Sequence, residues 1–114
     1  MGRPVSRSSA PHYGWGDGCD GWRLAAGAGL SVIEERVPPG GSEKRHVHRV
    51  ARQFFYVLEG RAVIELGGTE HAVGPGEGLE VEPGVPHRFF NPSDADVVFL
   101  VVSAPSTSGD REDA

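Results

Sequence analysis

The apolar runs of this chain are short, and each is closed by glycine or proline: 17 glycines and 9 prolines punctuate 114 residues. No stretch sustains the apolar period of an amphipathic helix, whereas short β-branched and aromatic runs bounded by turn formers are the pattern of strands. Candidate strands are 23–26, 29–37, 44–49, 53–59, 61–66, 70–73, 79–82, 87–91 and 96–103. Turns between them are marked by Pro38-Pro39-Gly40-Gly41, Glu59-Gly60, Gly67-Gly68, Gly74-Pro75-Gly76 and Asn91-Pro92. In 61–66, Ala62, Ile64 and Leu66 alternate with Arg61 and Glu65, assigning one face to a core and the other to solvent. Strands this short and evenly spaced predict an all-β sandwich or barrel, and the length suffices for a single core.

The organisation predicted is an N-terminal arm over 1–22, partly ordered, a folded domain over 23–104, and a disordered tail over 105–114. The arm lacks an alternating pattern, although Trp15 and Trp22 call for burial against a sheet edge or a second subunit. The tail is serine, glycine and charge. Gln53, Phe55 and Val57 share one parity and should line the interior, leaving Phe54, Tyr56 and Leu58 outside. Residues 97–102 are all apolar, so their strand needs cover on its second face. A homodimer would supply it; a second sheet or the arm is the alternative.

A net charge of −5 argues against nucleic acid as a partner, since phosphate binding needs a basic surface. The single cysteine, Cys19, cannot form an internal disulfide, and the N-terminus lacks a charged start followed by an apolar run. The expectation is a cytoplasmic protein with no membrane partner, acting on a small-molecule substrate.

Chemistry concentrates in His46, His48, Gln53 and His87. On an extended backbone His46 and His48 point to one side, which lets two imidazoles share an ion. Gly40 precedes His46 by six residues, Gln53 follows His48 by five and Gly60 follows Gln53 by seven. A second block has Gly76, Gly84, His87 and Asn91. His12 and His71 have no such surroundings and read as solvated surface residues.

These two blocks closely resemble the motifs of the cupin superfamily, and the resemblance covers roughly residues 30–103. Gly40, His46, His48 and Gly60 fall on the first motif, and Gly76, Gly84, His87 and Asn91 on the second, with fifteen residues between the motifs. Gln53 stands where the family has a glutamate ligand, and Glu82 where it has proline. The resemblance implies a cupin jelly roll, or double-stranded β-helix barrel. It also implies one divalent metal ion per chain (Zn, Mn, Fe or Ni) held by His46, His48, Gln53 and His87.

With glutamine in place of glutamate the ligands carry no charge, so a bound ion would polarise substrate oxygens more strongly. No carboxylate at that position could act as a base. This favours non-redox Lewis-acid chemistry: isomerisation, cyclisation, dehydration or rearrangement of a small polar or anionic metabolite. An Fe-, Ni- or Cu-dependent dioxygenase and a non-catalytic metabolite- or sugar-binding cupin are the alternatives. Basic residues crowd the first motif, Lys44, Arg45, Arg49 and Arg52 with Arg88 near the third histidine, and could hold an anionic substrate. Lys44 shares the face of His46 and His48 if their strand begins that early. The register of 29–37 is open: either Leu30 and Val32 face inward with Glu34 and Arg36, or Ile33 and Val37 do with Glu35. Tyr56, Glu34 and Lys44 are the expected catalytic partners.

Overall fold

A computed structural model describes residues 2–114. Eleven strands follow one another: β1 (His12–Trp15), β2 (Cys19–Ala26), β3 (Ser31–Val37), β4 (His46–Val47), β5 (Arg52–Glu59), β6 (Ala62–Leu66), β7 (Thr69–Val73), β8 (Gly78–Val81), β9 (His87–Phe90), β10 (Val97–Ala104) and β11 (Glu112–Asp113). They form two antiparallel sheets, β1-β2-β3-β10-β5-β8 and β11-β4-β9-β6-β7. β10 lies between β3 and β5, so the last long strand closes the larger sheet through its centre. No described helix is long and apolar enough to cross a membrane.

Alternation within the strands builds the core. Gln53, Phe55 and Val57 of β5 face inward and are buried, whereas Phe54, Tyr56 and Leu58 remain 42%, 37% and 39% exposed. β10 turns Val97, Phe99, Val101 and Ser103 inward. Phe89 of β9 stacks on Phe99 with centroids 3.9 Å apart and on Phe55 at 5.7 Å, joining the two sheets through aromatic rings. Asn91 fastens one end of this core. Its amide donates to the carbonyls of Val37 at 3.0 Å and Ala95 at 2.7 Å, and its Oδ1 accepts from the Ser93 N–H and hydroxyl. Gly60 is required at the neighbouring turn: its φ is +80°, and a Cβ there would stand 2.3 Å from the Asp96 carbonyl oxygen.

The segments expected to be loose belong to the fold. β1 and the first half of β2 pair from His12↔Trp22 to Trp15↔Cys19, adding a hairpin to the larger sheet. The glycines that broke the apolar pattern are the reason this went unread. Gly21 faces Tyr13, whose ring would lie 2.2 Å from a Cβ at that position, so the missing side chain leaves space for the phenol to lie across the strand. The C-terminal segment is also ordered. β11 pairs β4 at Glu112↔Val47 and Asp113↔His46.

The phenyl stack should dominate stability. Phe99→Ala is expected to cost about 3–5 kcal/mol, and Phe54→Ala, exposed in the single chain, under about 1 kcal/mol, in urea denaturation of the monomeric chain. Similar losses for both would contradict this division of the strand faces.

Candidate active site

His46 of β4 and His87 of β9 are register partners across the smaller sheet, and His48 follows two residues on, returning to the same side. All three are buried. Their ring centroids are 4.4 Å (His46–His87), 4.9 Å (His46–His48) and 5.6 Å (His48–His87) apart. One nitrogen from each ring lies within 4.8 Å of the others, so the three can hold a metal ion.

Nδ1 of His46 bonds the Lys44 carbonyl at 2.7 Å, Nδ1 of His87 bonds that of Val85 at 2.9 Å, and Nδ1 of His48 bonds that of Asp110. A carbonyl oxygen only accepts, so each Nδ1 carries the proton and each Nε2 keeps its lone pair. Burial lowers the His46 imidazole to about 4 and also depresses that of His87, which keeps both neutral at neutral pH.

Gln53 reaches the same pocket from β5. Its Nε2 donates to Ser103 Oγ at 3.1 Å, which fixes the amide and leaves Oε1 as an acceptor. Gln53 Oε1 and His87 Nε2 are the buried side-chain polar atoms without a hydrogen-bond partner among the described residues. Buried polar atoms are seldom left unpaired, and a cation would satisfy both. Imidazole nitrogens and an amide oxygen suit a divalent ion such as zinc, manganese, iron or nickel.

The ligand cluster opens on a cavity of about 230 Å³. Its apolar wall is Trp15, Ile33, Phe55 and Val101; its polar wall includes Tyr13, Glu35, Glu43 and Arg111. The Tyr13 hydroxyl donates to Glu35 Oε2 at 3.0 Å. Burial, reinforced by Glu43, pushes Glu35 up to about 8, and burial pushes Glu43 up to about 7. Glu43 Oε1 accepts the Phe89 N–H at 3.0 Å, and its other oxygen lies 4.0 Å from His46 Nε2. Two carboxyls that hold protons near neutral pH therefore sit beside the histidine cluster.

None of the three expected catalytic partners lines this cavity. Tyr56 is on the outer face of β5, stacked on Phe54 with centroids 6.4 Å apart. Glu34 turns outward to pair with Arg7, because β3 adopts the register that directs Ile33 and Glu35 into the pocket. Lys44 is exposed: the Glu43 side chain occupies the Phe89 N–H, and β4 begins only at His46. The basic excess is likewise engaged elsewhere. Arg45 pairs with Glu65 at 2.8 Å, Arg49 with Glu112 at 2.9 Å and Arg52 with Glu80, while Arg88 bonds Ser42 at 3.0 Å. His12 is exposed, as expected, and pairs with Asp20 at 2.8 Å.

Glu35 was one of two registers open in the sequence. Glu43, three residues before His46, was legible only as an acid beside a ligand motif. Tyr13 and Arg111 gave no signal, since both lie in glycine- or serine-rich segments read as arm and tail.

Two antiparallel sheets with a buried histidine cluster opening on a pocket define a β-barrel of the jelly-roll class. The chain belongs to the Cupin domain family, whose model matches residues 33–103. Among solved structures, a sugar phosphate isomerase of the cupin superfamily from Silicibacter pomeroyi is 27% identical, with a TM-score of 0.81 over 91% of this chain and 76% of that one. The polyketide cyclase RemF from Streptomyces resistomycificus is also 27% identical, with a TM-score of 0.79 over 93% and 81%. The polyketide synthase CurC of Streptomyces cyaneus is 33% identical over 77 residues, 68% of this chain and 47% of that protein. The chain thus spans about half the length of this curated relative.

Glu35 makes the pocket pH-sensitive. Its ordinary value is 4.5 and its folded value about 8, so it contributes stability that is complete below about pH 4.5 and lost as the pH rises through about 8. In metal-free protein, stability relative to Glu35→Gln should fall across this window by up to about 1.4 kcal/mol per pH unit. Urea denaturation of both proteins at pH 5 and pH 8.5 measures it, and a pH-independent difference would contradict a protonated Glu35.

Proposed function

We propose that this cupin is a metal-dependent enzyme of non-redox chemistry that isomerises, cyclises or dehydrates a small polar metabolite. The observation carrying this reading is the meeting, in one cavity, of an uncharged His46, His48, His87 and Gln53 donor set with carboxyls at Glu35 and Glu43 that retain protons near neutral pH. The isomerase and cyclase among the similar structures support the same class of reaction. One divalent ion per chain, zinc or manganese, would supply Lewis-acid polarisation of a substrate carbonyl or hydroxyl oxygen.

The protein side chains do the proton work. Protonated Glu35, oriented by the Tyr13 hydroxyl, is placed to give its proton to a substrate oxygen as that oxygen becomes a hydroxyl or leaves as water. Glu43, with the lower value, is the group able to take a proton from substrate carbon once ionised. The Phe89 N–H holds its Oε1 and directs the carboxyl towards His46. Trp15, Ile33, Phe55 and Val101 exclude water from the opposite wall. A proton removed by one carboxyl and one returned by the other balance for each of the three reactions.

Elemental analysis of protein purified without a metal-affinity column should give close to one zinc or manganese per chain, and His48→Ala should lose most of it. Unchanged metal in His48→Ala would refute the centre. Glu35→Gln should keep the metal and lower turnover by about 100-fold or more; retained turnover would remove Glu35 from the mechanism. Iron, nickel or copper together with oxygen consumption would instead support a dioxygenase.

A second copy of the chain is proposed as the cover for the outer stripe of Phe54, Tyr56 and Leu58, which β10 extends with Leu100 and Val102. Sedimentation at twice the chain mass is expected, and a monomer at micromolar concentration would rule it out.

A further inference from the structure

The segment after β10 is tied beside the pocket, whose wall includes its Thr107 and Arg111. Asp110 Oδ1 accepts the Arg49 N–H at 2.8 Å, and its Oδ2 accepts those of Val50 at 3.1 Å and Ala51 at 2.8 Å. The same residue's carbonyl accepts from His48 Nδ1. On either side the strap is fixed again, by the Asp110 N–H to the Thr107 carbonyl at 2.9 Å, the Arg49–Glu112 pair at 2.9 Å and the Ala114 N–H to the Arg45 carbonyl at 3.0 Å. A serine- and glycine-rich segment has no reason of composition to be held so tightly, and what the anchoring positions is the next residue, Arg111.

Arg111 lines the cavity beside Glu35, Glu43, His46 and His48. It has no ion-pair partner within 4.0 Å among the described residues, whereas Arg7, Arg36, Arg45, Arg49 and Arg52 each have one. The polar groups that share this lining come from both sheets, Glu35 from β3 of the larger and His46 from β4 of the smaller. A guanidinium without a carboxylate partner in the cavity wall leaves its charge for an anionic group on the ligand. A planar guanidinium also matches a carboxylate with paired N–H donors.

We infer that Arg111, carried by the strap over 107–113, is the anchor for a carboxylate group on the substrate. The inference rests on the reading of this pocket as a substrate site and names the class of molecule that site takes. Arg111 thereby fills the part that the sequence had suggested for Lys44 and the basic cluster of the first motif.

Benzoate and its neutral counterpart benzamide test this by NMR titration of zinc-loaded protein at about pH 6, the aromatic ring of each probe suiting the wall of Trp15 and Phe55. Arg111→Met should weaken benzoate by about tenfold or more, the loss expected of a charge-assisted hydrogen bond. Benzamide affinity and zinc content should stay the same, and Arg111→Lys should recover part of the benzoate affinity. An unchanged benzoate affinity, an equal loss for both probes, or no benzoate binding to the wild type at millimolar concentration would overturn the assignment. A wild type that takes up no zinc yet still shows the benzoate difference would sink the metalloenzyme reading and leave Arg111 standing.

Discussion

Three backbone carbonyls, those of Lys44, Val85 and Asp110, each accept a proton from an imidazole Nδ1, and the character of the site depends on those three bonds. They choose the tautomer, orient the rings and leave three Nε2 lone pairs clustered within reach of one ion. Two of the carbonyls lie beside strands of the smaller sheet. The third belongs to the C-terminal strap, so one ligand is set by a segment that passes from β10 of the larger sheet to β11 of the smaller. Burial outweighs these bonds and holds His46 and His87 neutral, and Gln53 adds no charge to the ligand set.

Low charge at the ligands has a counterpart in the carboxyls opposite. Burial raises the cost of ionising both Glu35 and Glu43, and the Glu43 charge adds to the cost at Glu35. An acid and a base of similar type but separated values can coexist only where the surroundings differ, and here they do. Glu35 takes a hydrogen bond from a phenol, and Glu43 from a backbone N–H. The hydrogen bond to Glu35 depends on Gly21, whose lack of a side chain gives the Tyr13 ring its place.

The barrel and its metal-side residues were legible in the sequence because each leaves a periodic trace. Alternation within 53–59 assigned Gln53, Phe55 and Val57 to the interior, and the spacing of glycines around His46, His48 and His87 identified the ligand cluster. The remainder of the pocket leaves no such trace. Tyr13 sits in a hairpin whose apolar rhythm is broken by the glycine that accommodates it. Arg111 sits in a segment whose order comes from Asp110 capping three amides, an interaction that composition cannot reveal. Tyr56 and Glu34 were attractive as chemical types, but strand parity carries both outward. Lys44 fails for a local reason, since a side-chain carboxyl interrupts the ladder three residues before the strand begins.

The hairpin before β3 and the strap after β10 close on the pocket from opposite sides, like two jaws mounted on a fixed socket. The socket, built by β4, β5 and β9, carries the ion-binding groups; the jaws carry Trp15, Tyr13 and Arg111 and decide what may sit against them. Substitutions in the jaws can therefore re-shape substrate preference while the strand register beneath stays as it is. The same socket could in this way serve different molecules in different proteins without being rebuilt.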